Sequence, residues 1–225
     1  QHDAPEHQHW QQDTVRWLAA RGRLAALVVE MADSGAATDD LPPTAGEAEV
    51  RAALHWNDAA WPWERYGPVV MAAVAAGVPV RGGNLPRARM RDAMRDEAFD
   101  ARLPPDAWQR QRAAIEEGHC SLLPAAQITP MARIQLARDA SMASAVQAAR
   151  HPGQTVLLVA GYGHVLRGLG VPAWLPADFK PKVALAQAGQ AQTAIESEAD
   201  YVHLTPALPP RDYCAELRAR TSTAN

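Results

Sequence analysis

Hydrophobic and polar positions alternate along the chain in a way that predicts helices separated by strands. Residues 5–21 repeat apolar side chains at helical spacing, and Gly22 marks the end of that helix. The run LAALVVE at residues 24–30 is short, apolar and rich in branched side chains, which is typical of a buried strand. Two further helices are predicted at residues 45–56 and 63–77.

The second half of the chain continues this alternation. Residues 78–84 are predicted to form a strand that ends in a glycine turn. Residues 128–150 are predicted to form a long helix, with Thr129 as its N-cap and Pro130 in its first turn. The remaining strands, which are predicted to finish the same sheet, lie at residues 155–160, 183–189 and 200–205.

The order of these elements predicts the fold class. Strands separated by helices imply parallel β-α-β units, so the chain is predicted to be α/β, with a parallel β-sheet flanked by helices on both faces. Residues 86–118 are polar and arginine-rich with helical periodicity. We therefore predict a small all-helical subdomain at residues 85–124, and an α/β domain formed by residues 1–84 and 125–225.

Composition narrows the possible partners. The formal net charge is −3, and the 22 Lys and Arg residues are scattered among acids without a basic run, so no nucleic-acid partner is expected. No apolar stretch approaches the roughly 20 residues that cross a bilayer. The two cysteines, Cys120 and Cys214, could form one disulfide or none.

Candidate site residues follow from the predicted sheet. In open parallel sheets, ligands bind beyond the carboxyl ends of the strands, which directs attention to the residues at three strand ends and on one helix. Their spacing at i, i+3, i+4 and i+7 places four residues of the long predicted helix on a single helical face: Gln135, Arg138, Asp139 and Met142. The residues at the strand ends are Glu30, the turn Gly82-Gly83-Asn84, and the turn from Gly161 to His164.

Each of these residues also has a purely structural interpretation. Glu30 could be a helix cap or a salt-bridge partner, and Arg138 and Asp139 could lie on a solvated helix face. The apolar neighbours of this helix nevertheless indicate that at least one of the two charges is partly buried and paired. For His164 a site role is favoured, because loops at strand ends face the cleft rather than the core.

Several short motifs together resemble the ChaN family of iron-regulated haem-binding lipoproteins, which is related to erythromycin esterase-like proteins and Tiki metalloproteases. The resemblance covers nearly the whole chain and implies a strand and a Gly-Glu pair before Gln1. Tyr162 departs from the family pattern, in which a residue such as Asn is expected. The motifs that carry the resemblance are QHDAPEHQHWQ, VVEM, LHW with WPWERYGPVV, GGNLPR, EEGHC, QLARDASMA and AGYGHVLRGLGVP.

The resemblance implies a haem-binding protein of bacterial iron and haem uptake, lipid-anchored to the outer membrane or periplasmic. Similar proteins bind two haems face to face at a dimer interface with tyrosine ligation, so a homodimer on haem binding is expected. Tyr66, beside Trp61 and Trp63, is the first candidate ligand, and Tyr162 is the second. The other tyrosines, Tyr201 and Tyr213, are expected to be structural.

The same resemblance leaves a second function open, a Tiki-like metal-dependent hydrolase. His2, Glu30, His119 and His164 are residue types that could hold a divalent metal such as Mn, Zn or Co. Arg138 and Asp139 would then orient a carbonyl or an imidazole, which makes them catalytic candidates together with His164. A third interpretation is a binding protein whose polar cleft is a metal-free relic of such an enzyme.

Overall fold

The structure, a computed structural model, describes residues 4–190 and 197–222. Short 3₁₀ helices at Glu97–Ala101 and Val171–Trp174 supplement the main elements. In chain order these are α1 (Pro5–Ala19), β1 (Leu24–Asp33), α2 (Glu47–Ala53), α3 (Trp63–Ala75), β2 (Val80–Asn84), α4 (Arg87–Arg95), α5 (Pro105–Gly118), α6 (Ala125–Ala148), β3 (Thr155–Val159), α7 (Tyr162–Val165), β4 (Ala184–Ala188), β5 (Tyr201–Thr205) and α8 (Tyr213–Ser222).

The predicted α/β class is confirmed. The main sheet has the strand order β2-β1-β3, and both outer strands run parallel to β1. Leu27 of β1 lies opposite Val80 of β2 on one side and Leu157 of β3 on the other. The central strand is therefore hydrogen-bonded along both edges, and its continuous apolar sequence reflects the burial of both its faces.

Strands β4 and β5 do not finish this sheet, so the prediction of one continuous sheet is wrong for the described residues. They pair in parallel with each other and form a separate two-stranded sheet, in which Ala184 lies opposite Tyr201. Their apolar patterns predict strands but cannot indicate the neighbouring strand, because pairing depends on contacts far apart in sequence.

Helices cover both faces of the main sheet, as predicted. Leu27 and Val29 of β1 pack with Val15 of α1 and Val70 of α3 in the largest hydrophobic cluster. Val28 faces the opposite side, where it packs against residues of α6 including Val146. Because side chains of a strand point alternately to its two faces, these neighbouring residues are buried by different helix layers.

Helix α6 begins earlier than predicted. It starts at Ala125 after an extended Pro124, so Thr129 is not its N-cap and Pro130 lies inside the helix. Pro130 is the sixth residue of the helix, beyond the first N–H groups that have no partner, so it removes one N–H that would otherwise bond to the carbonyl of residue 126. Pro130 therefore indicates the beginning of the helix only to within one or two turns.

The segment predicted as a helical subdomain is helical and packs against the first half of α6. Ile115 of α5 shares a buried cluster with Ile128 and Ala132 of α6. Arg133 of α6 also forms two hydrogen bonds with Asp100 in the short 3₁₀ helix, at 2.7 and 2.6 Å. The subdomain boundaries at residues 85 and 124 stay a prediction, because α6 contacts both the helical segment and the sheet.

A disulfide joins Cys120 and Cys214, which settles the alternative left open by the sequence. The bridge links the segment after α5 to α8, across 94 residues of sequence, with Cα atoms 5.5 Å apart. A cross-link over a loop of this length restricts the unfolded chain and is worth about 4 to 5 kcal/mol in the chain-entropy model.

We predict that reduction of this disulfide lowers the thermal unfolding temperature. Differential scanning calorimetry with and without a phosphine reductant measures the change. A Cys120→Ser, Cys214→Ser double variant is the control, because it should unfold at the lower temperature in both conditions. Equal unfolding temperatures of the reduced and oxidised wild-type chain would show that the bridge adds no stability.

Candidate functional site

The carboxyl ends of the three main strands bring together side chains that are far apart in sequence. Glu30 lies in the last part of β1, Asn84 ends β2, and His164 lies in the short helix α7 directly after β3. Glu30 and Asn84 are 3% and 8% exposed. Polar groups buried to this degree need partners, and α6 supplies them from the face predicted by its sequence.

The glycine pair before Asn84 lets the sheet and α6 approach closely. A Cβ atom on Gly83 would lie 2.9 Å from Cγ1 of Val28 and 3.0 Å from Cγ of Met142. A Cβ atom on Gly82 would lie 2.0 Å from the backbone oxygen of Asp33, where the β1–β2 register is irregular. A side chain at Gly82 would therefore clash with backbone, and one at Gly83 would displace Val28 or Met142, so both glycines favour close packing at the strand ends.

Arg138 organises the first half of the site. Its Nη2 donates to Oε1 of Glu30 at 2.6 Å, its Nε to Oδ1 of Asn84 at 2.9 Å, and its Nη1 to Oε1 of Gln135 at 3.1 Å. The backbone N–H of Gly161 donates to the other oxygen of Glu30 at 2.6 Å. The single carboxylate of Glu30 therefore ties β1 to α6 and to the start of the turn after β3.

Asp139 and His164 form the second half of the site. Nδ1 of His164 lies 2.6 Å from Oδ1 of Asp139, and its Nε2 lies 3.6 Å from Oε1 of Glu30, longer than a hydrogen bond. Burial raises the pKa of Asp139 to about 6, although the hydrogen bond from His164 and the charge of Arg138 lower it. The imidazole thus lies between two carboxyl groups and is hydrogen-bonded to that of Asp139.

The polar groups of this network find most of their hydrogen-bond partners within the protein, which leaves few of them available to bind a ligand. Both oxygens of Glu30 accept hydrogen bonds from Arg138 and Gly161, and Asp139 accepts from His164. Across the described residues, no group of three or more His, Cys, Asp or Glu is placed to hold a metal ion. The hydrogen bonds among these side chains therefore favour a buried ion-pair network over a metal centre in the described part of the chain.

Of the four metal candidates, two lie in this network. Glu30 and His164 are brought together, but Nδ1 of His119 bonds to the carbonyl of Ile115 at 2.8 Å, at the end of α5. His2 lies outside the described residues. The three catalytic candidates Arg138, Asp139 and His164 do meet at one site, although no substrate contact tests their role.

The two tyrosine candidates have very different environments. Tyr66 is 3% exposed, and its ring contacts Trp61 edge to face at 5.7 Å. Trp63 is also buried, with its indole N–H donating to Glu47. Tyr162 is 59% exposed in α7.

Sequence reasoning missed one buried polar contact near this edge. His7 of α1 is 2% exposed and lies 3.1 Å from Oγ1 of Thr205 in β5, which connects the first helix to the second sheet. Helical spacing gives a weak signal, since His7 falls on the same face of α1 as Val15.

The fold and the site together define a class of protein. It is a parallel-sheet α/β protein with a buried Arg-Glu-His-Asp network at the carboxyl edge of the sheet. The structure solved for "Cofacial heme binding to ChaN of Campylobacter jejuni" is similar, with a TM-score of 0.70 and 21% sequence identity over 90% of this chain and 83% of that chain. At this identity the likeness shows the fold alone. No curated protein sequence matches the chain.

Residues 1–175 match the family model described as haem-binding uptake, Tiki superfamily, ChaN. The match spans more than half of the chain. The chain therefore belongs to this family, which confirms the resemblance carried by its motifs.

We predict that Glu30→Ala destabilises the chain by about 3 to 5 kcal/mol, because it leaves the guanidinium of Arg138 buried without its carboxylate. The free energy of unfolding in urea measures the loss. Asp178→Ala is the matched control, since Asp178 pairs with Arg150 at the surface, where solvent screens the pair and its removal should cost little stability. Similar losses of unfolding free energy in the two variants would contradict the prediction that burial makes the Glu30–Arg138 pair more costly to break than a surface pair.

We predict a pH dependence that originates from Asp139. A carboxyl group whose pKa is raised by folding stabilises the chain fully below about pH 4, and this stability is lost as the pH rises through about 6. The Asp139→Asn variant keeps the neighbours His164, Arg138 and Glu30 but has no carboxyl group to ionise, so it should not show this loss. Its free energy of unfolding relative to wild type should therefore rise between pH 4 and 7. If the unfolding free energies of the variant and the wild type change with pH in the same way over that range, the prediction is wrong.

Proposed function

We propose that this protein binds haem and acts in bacterial haem and iron uptake. The observation that carries the proposal is the match of residues 1–175 to a family defined by haem-binding uptake. The structural similarity to a protein whose title names cofacial haem binding supports it.

We propose a tyrosine as the iron ligand, with Tyr162 favoured over Tyr66. A phenolate is a hard oxygen donor that suits ferric haem. The ring of Tyr66 lies in the core beside Trp61, whereas the ring of Tyr162 is mostly exposed and can meet a planar group as large as a porphyrin without unfolding. This accessibility reverses the order expected from the sequence motif around Tyr66.

An exposed ligand is suited to the dimeric arrangement expected from the resemblance. A haem held on a surface by one residue leaves its second face open to water, and a second copy of the complex would cover that apolar face. We therefore propose that haem binding promotes a homodimer with Tyr162 of each copy near the interface.

We propose a location in the cell envelope, lipid-anchored to the outer membrane or periplasmic. The Cys120–Cys214 bridge supports this, because disulfides persist in oxidising compartments such as the periplasm. Within residues 4–190 and 197–222, no helix has both the length and the apolar character to cross a membrane.

The metal-dependent hydrolase receives no such support. The oxygens of Glu30 are used by Arg138 and Gly161, and the described part of the chain contains no metal-ligand group. The hydrogen bonds of the network account for it as a buried structural element of the strand ends.

We predict that titration with haemin produces the Soret band of an oxygen-ligated, high-spin ferric haem and shifts the chain from monomer to dimer in analytical ultracentrifugation. Tyr162→Phe should weaken haem affinity at least tenfold and change this band, because it removes the ligand oxygen while keeping the ring. An unchanged absorbance spectrum of haemin in the presence of wild-type protein would refute the proposed function.

Two matched variants test the choice of ligand. Tyr201→Phe removes the hydroxyl of another exposed ring, 56% exposed in β5, and should bind haem like wild type. Tyr66→Phe should also retain the spectrum, because its ring stays in the core. Loss of the Soret band in Tyr66→Phe alone would assign the ligand to Tyr66 instead.

A further inference from the structure

Helix α4 concentrates positive charge on the surface of the helical segment. Its nine residues include four arginines and one aspartate, which give the helix a net charge of +3 in a chain whose net charge is −3. All four arginines are exposed: Arg87, Arg89, Arg91 and Arg95. The charge of this helix is therefore opposite to that of the chain as a whole.

Three of the four arginines form a row along the outer side of the helix, which we call the arginine stripe. Arg87, Arg91 and Arg95 follow one another at four-residue intervals, and residues at this spacing lie on one helical face. Ala93, on the opposite side, is buried, and the helix packs against α6. At a rise of about 1.5 Å per residue, the stripe extends over roughly 12 Å along the helix axis.

The protein does not neutralise the arginines of the stripe. In the part of the chain that the structure describes, none of the three forms an ion pair with a carboxylate. Other exposed arginines do have such partners, as Arg51 has in Asp58 at 3.0 Å. The stripe thus differs from the ordinary arginines on this surface.

The acids that follow α4 in sequence have other partners. Asp96, directly after the helix, accepts from the backbone N–H of Ala98 at 3.0 Å. Glu97 and Asp100 face Arg133 of α6, whose Nη2 lies 3.9 Å from Glu97 and 2.6 Å from Asp100. The positive charge of the stripe therefore stays available to a partner outside the chain.

This arrangement of charges costs the helix stability. Arg91 lies four residues from Arg87 and from Arg95, and like charges at this spacing repel each other. Arg87 and Arg89 stand in the first turn, which contains no acid, although the partial positive charge of a helix N-terminus disfavours cations there. Local conflicts of this kind are expected at functional sites, and an external anion beside the stripe would relieve this one.

We propose that the arginine stripe docks on a membrane surface that carries anionic lipid headgroups. Guanidinium groups suit phosphate, and four or more basic residues on one surface helix are typical of binding to anionic lipids. A row of this length on the convex side of a helix suits an extended anionic surface rather than one small anion. The proposal rests on the cell-envelope location proposed above, and it gives a lipid-anchored protein the second attachment that stable membrane binding requires.

Co-sedimentation of the 225-residue chain with lipid vesicles tests the proposal. At low ionic strength the chain should bind vesicles of equal parts phosphatidylglycerol and phosphatidylcholine, and should not bind vesicles of phosphatidylcholine alone. A chain of net negative charge binds anionic vesicles only through a local positive surface. Physiological salt should weaken the binding, because it screens exposed charges beyond about 8 Å.

The triple variant Arg87→Ala, Arg91→Ala, Arg95→Ala removes the stripe. It should bind the anionic vesicles roughly a hundredfold more weakly, at about fivefold for each arginine near an anionic surface. Its thermal unfolding temperature should not fall, because alanine is the best helix former and the repulsion between the arginines is lost. A lower unfolding temperature would show that the arginines serve the fold, which contradicts the proposal.

A second triple variant, Arg16→Ala, Arg51→Ala, Arg150→Ala, is the matched control. It changes the net charge by the same amount at exposed arginines outside α4, and it should bind the vesicles like wild type. Equal weakening in the two triple variants would overturn the proposal, since net charge and not the stripe would then govern binding.

Haemin titration of the same proteins separates this proposal from the proposed function. A wild-type chain that binds haemin but not the anionic vesicles would overturn the membrane proposal alone. If the stripe variant then also loses affinity for haemin, the arginines bind the carboxylates of haem instead. A chain that binds the anionic vesicles through the stripe but leaves the haemin spectrum unchanged would support this proposal and contradict haem binding.

Discussion

The buried carboxylate of Glu30 is the interaction on which the arrangement of the strand ends depends. It accepts from Arg138 of α6 and from the backbone of Gly161, so one side chain fixes the sheet, the long helix and the turn after β3 relative to each other. Burying these charges is costly unless their partners are present, and here each nitrogen of the guanidinium donates to an acceptor. Gly83 contributes to the close packing of α6 on the sheet, because a Cβ atom there would press on Val28 and Met142.

Local patterns predicted most elements of the fold, and the failures have physical reasons. The apolar run of β1 and the periodicity of α1 and α3 depend on neighbours close in sequence, and these elements were found within a few residues of their expected ends. The start of α6 was placed too late, because Thr129 and Pro130 also fit inside a first or second helical turn. The pairing of β4 with β5 away from β3 depends on a distant part of the chain, about which local sequence is silent.

The site was predictable in its composition but not in its connections. The rule that parallel strands gather polar residues at their carboxyl ends selected Glu30 and His164, and helical spacing added Arg138 and Asp139. Which of these groups neutralise each other could not be derived from spacing. The structure pairs Arg138 with Glu30 and Asp139 with His164, so these side chains neutralise each other where their residue types alone suggest metal ligands.

The proposed haem binding depends on the different surroundings of two tyrosines. Tyr66 lies on the wall of a cavity between β3 and β4 and is almost wholly buried. The phenol of Tyr162 lies at the carboxyl edge of the sheet, in the same short helix as His164. The ion-pair network keeps the start of this helix in place through Gly161, so the buried residues at the strand ends would hold Tyr162, the proposed haem ligand, in position.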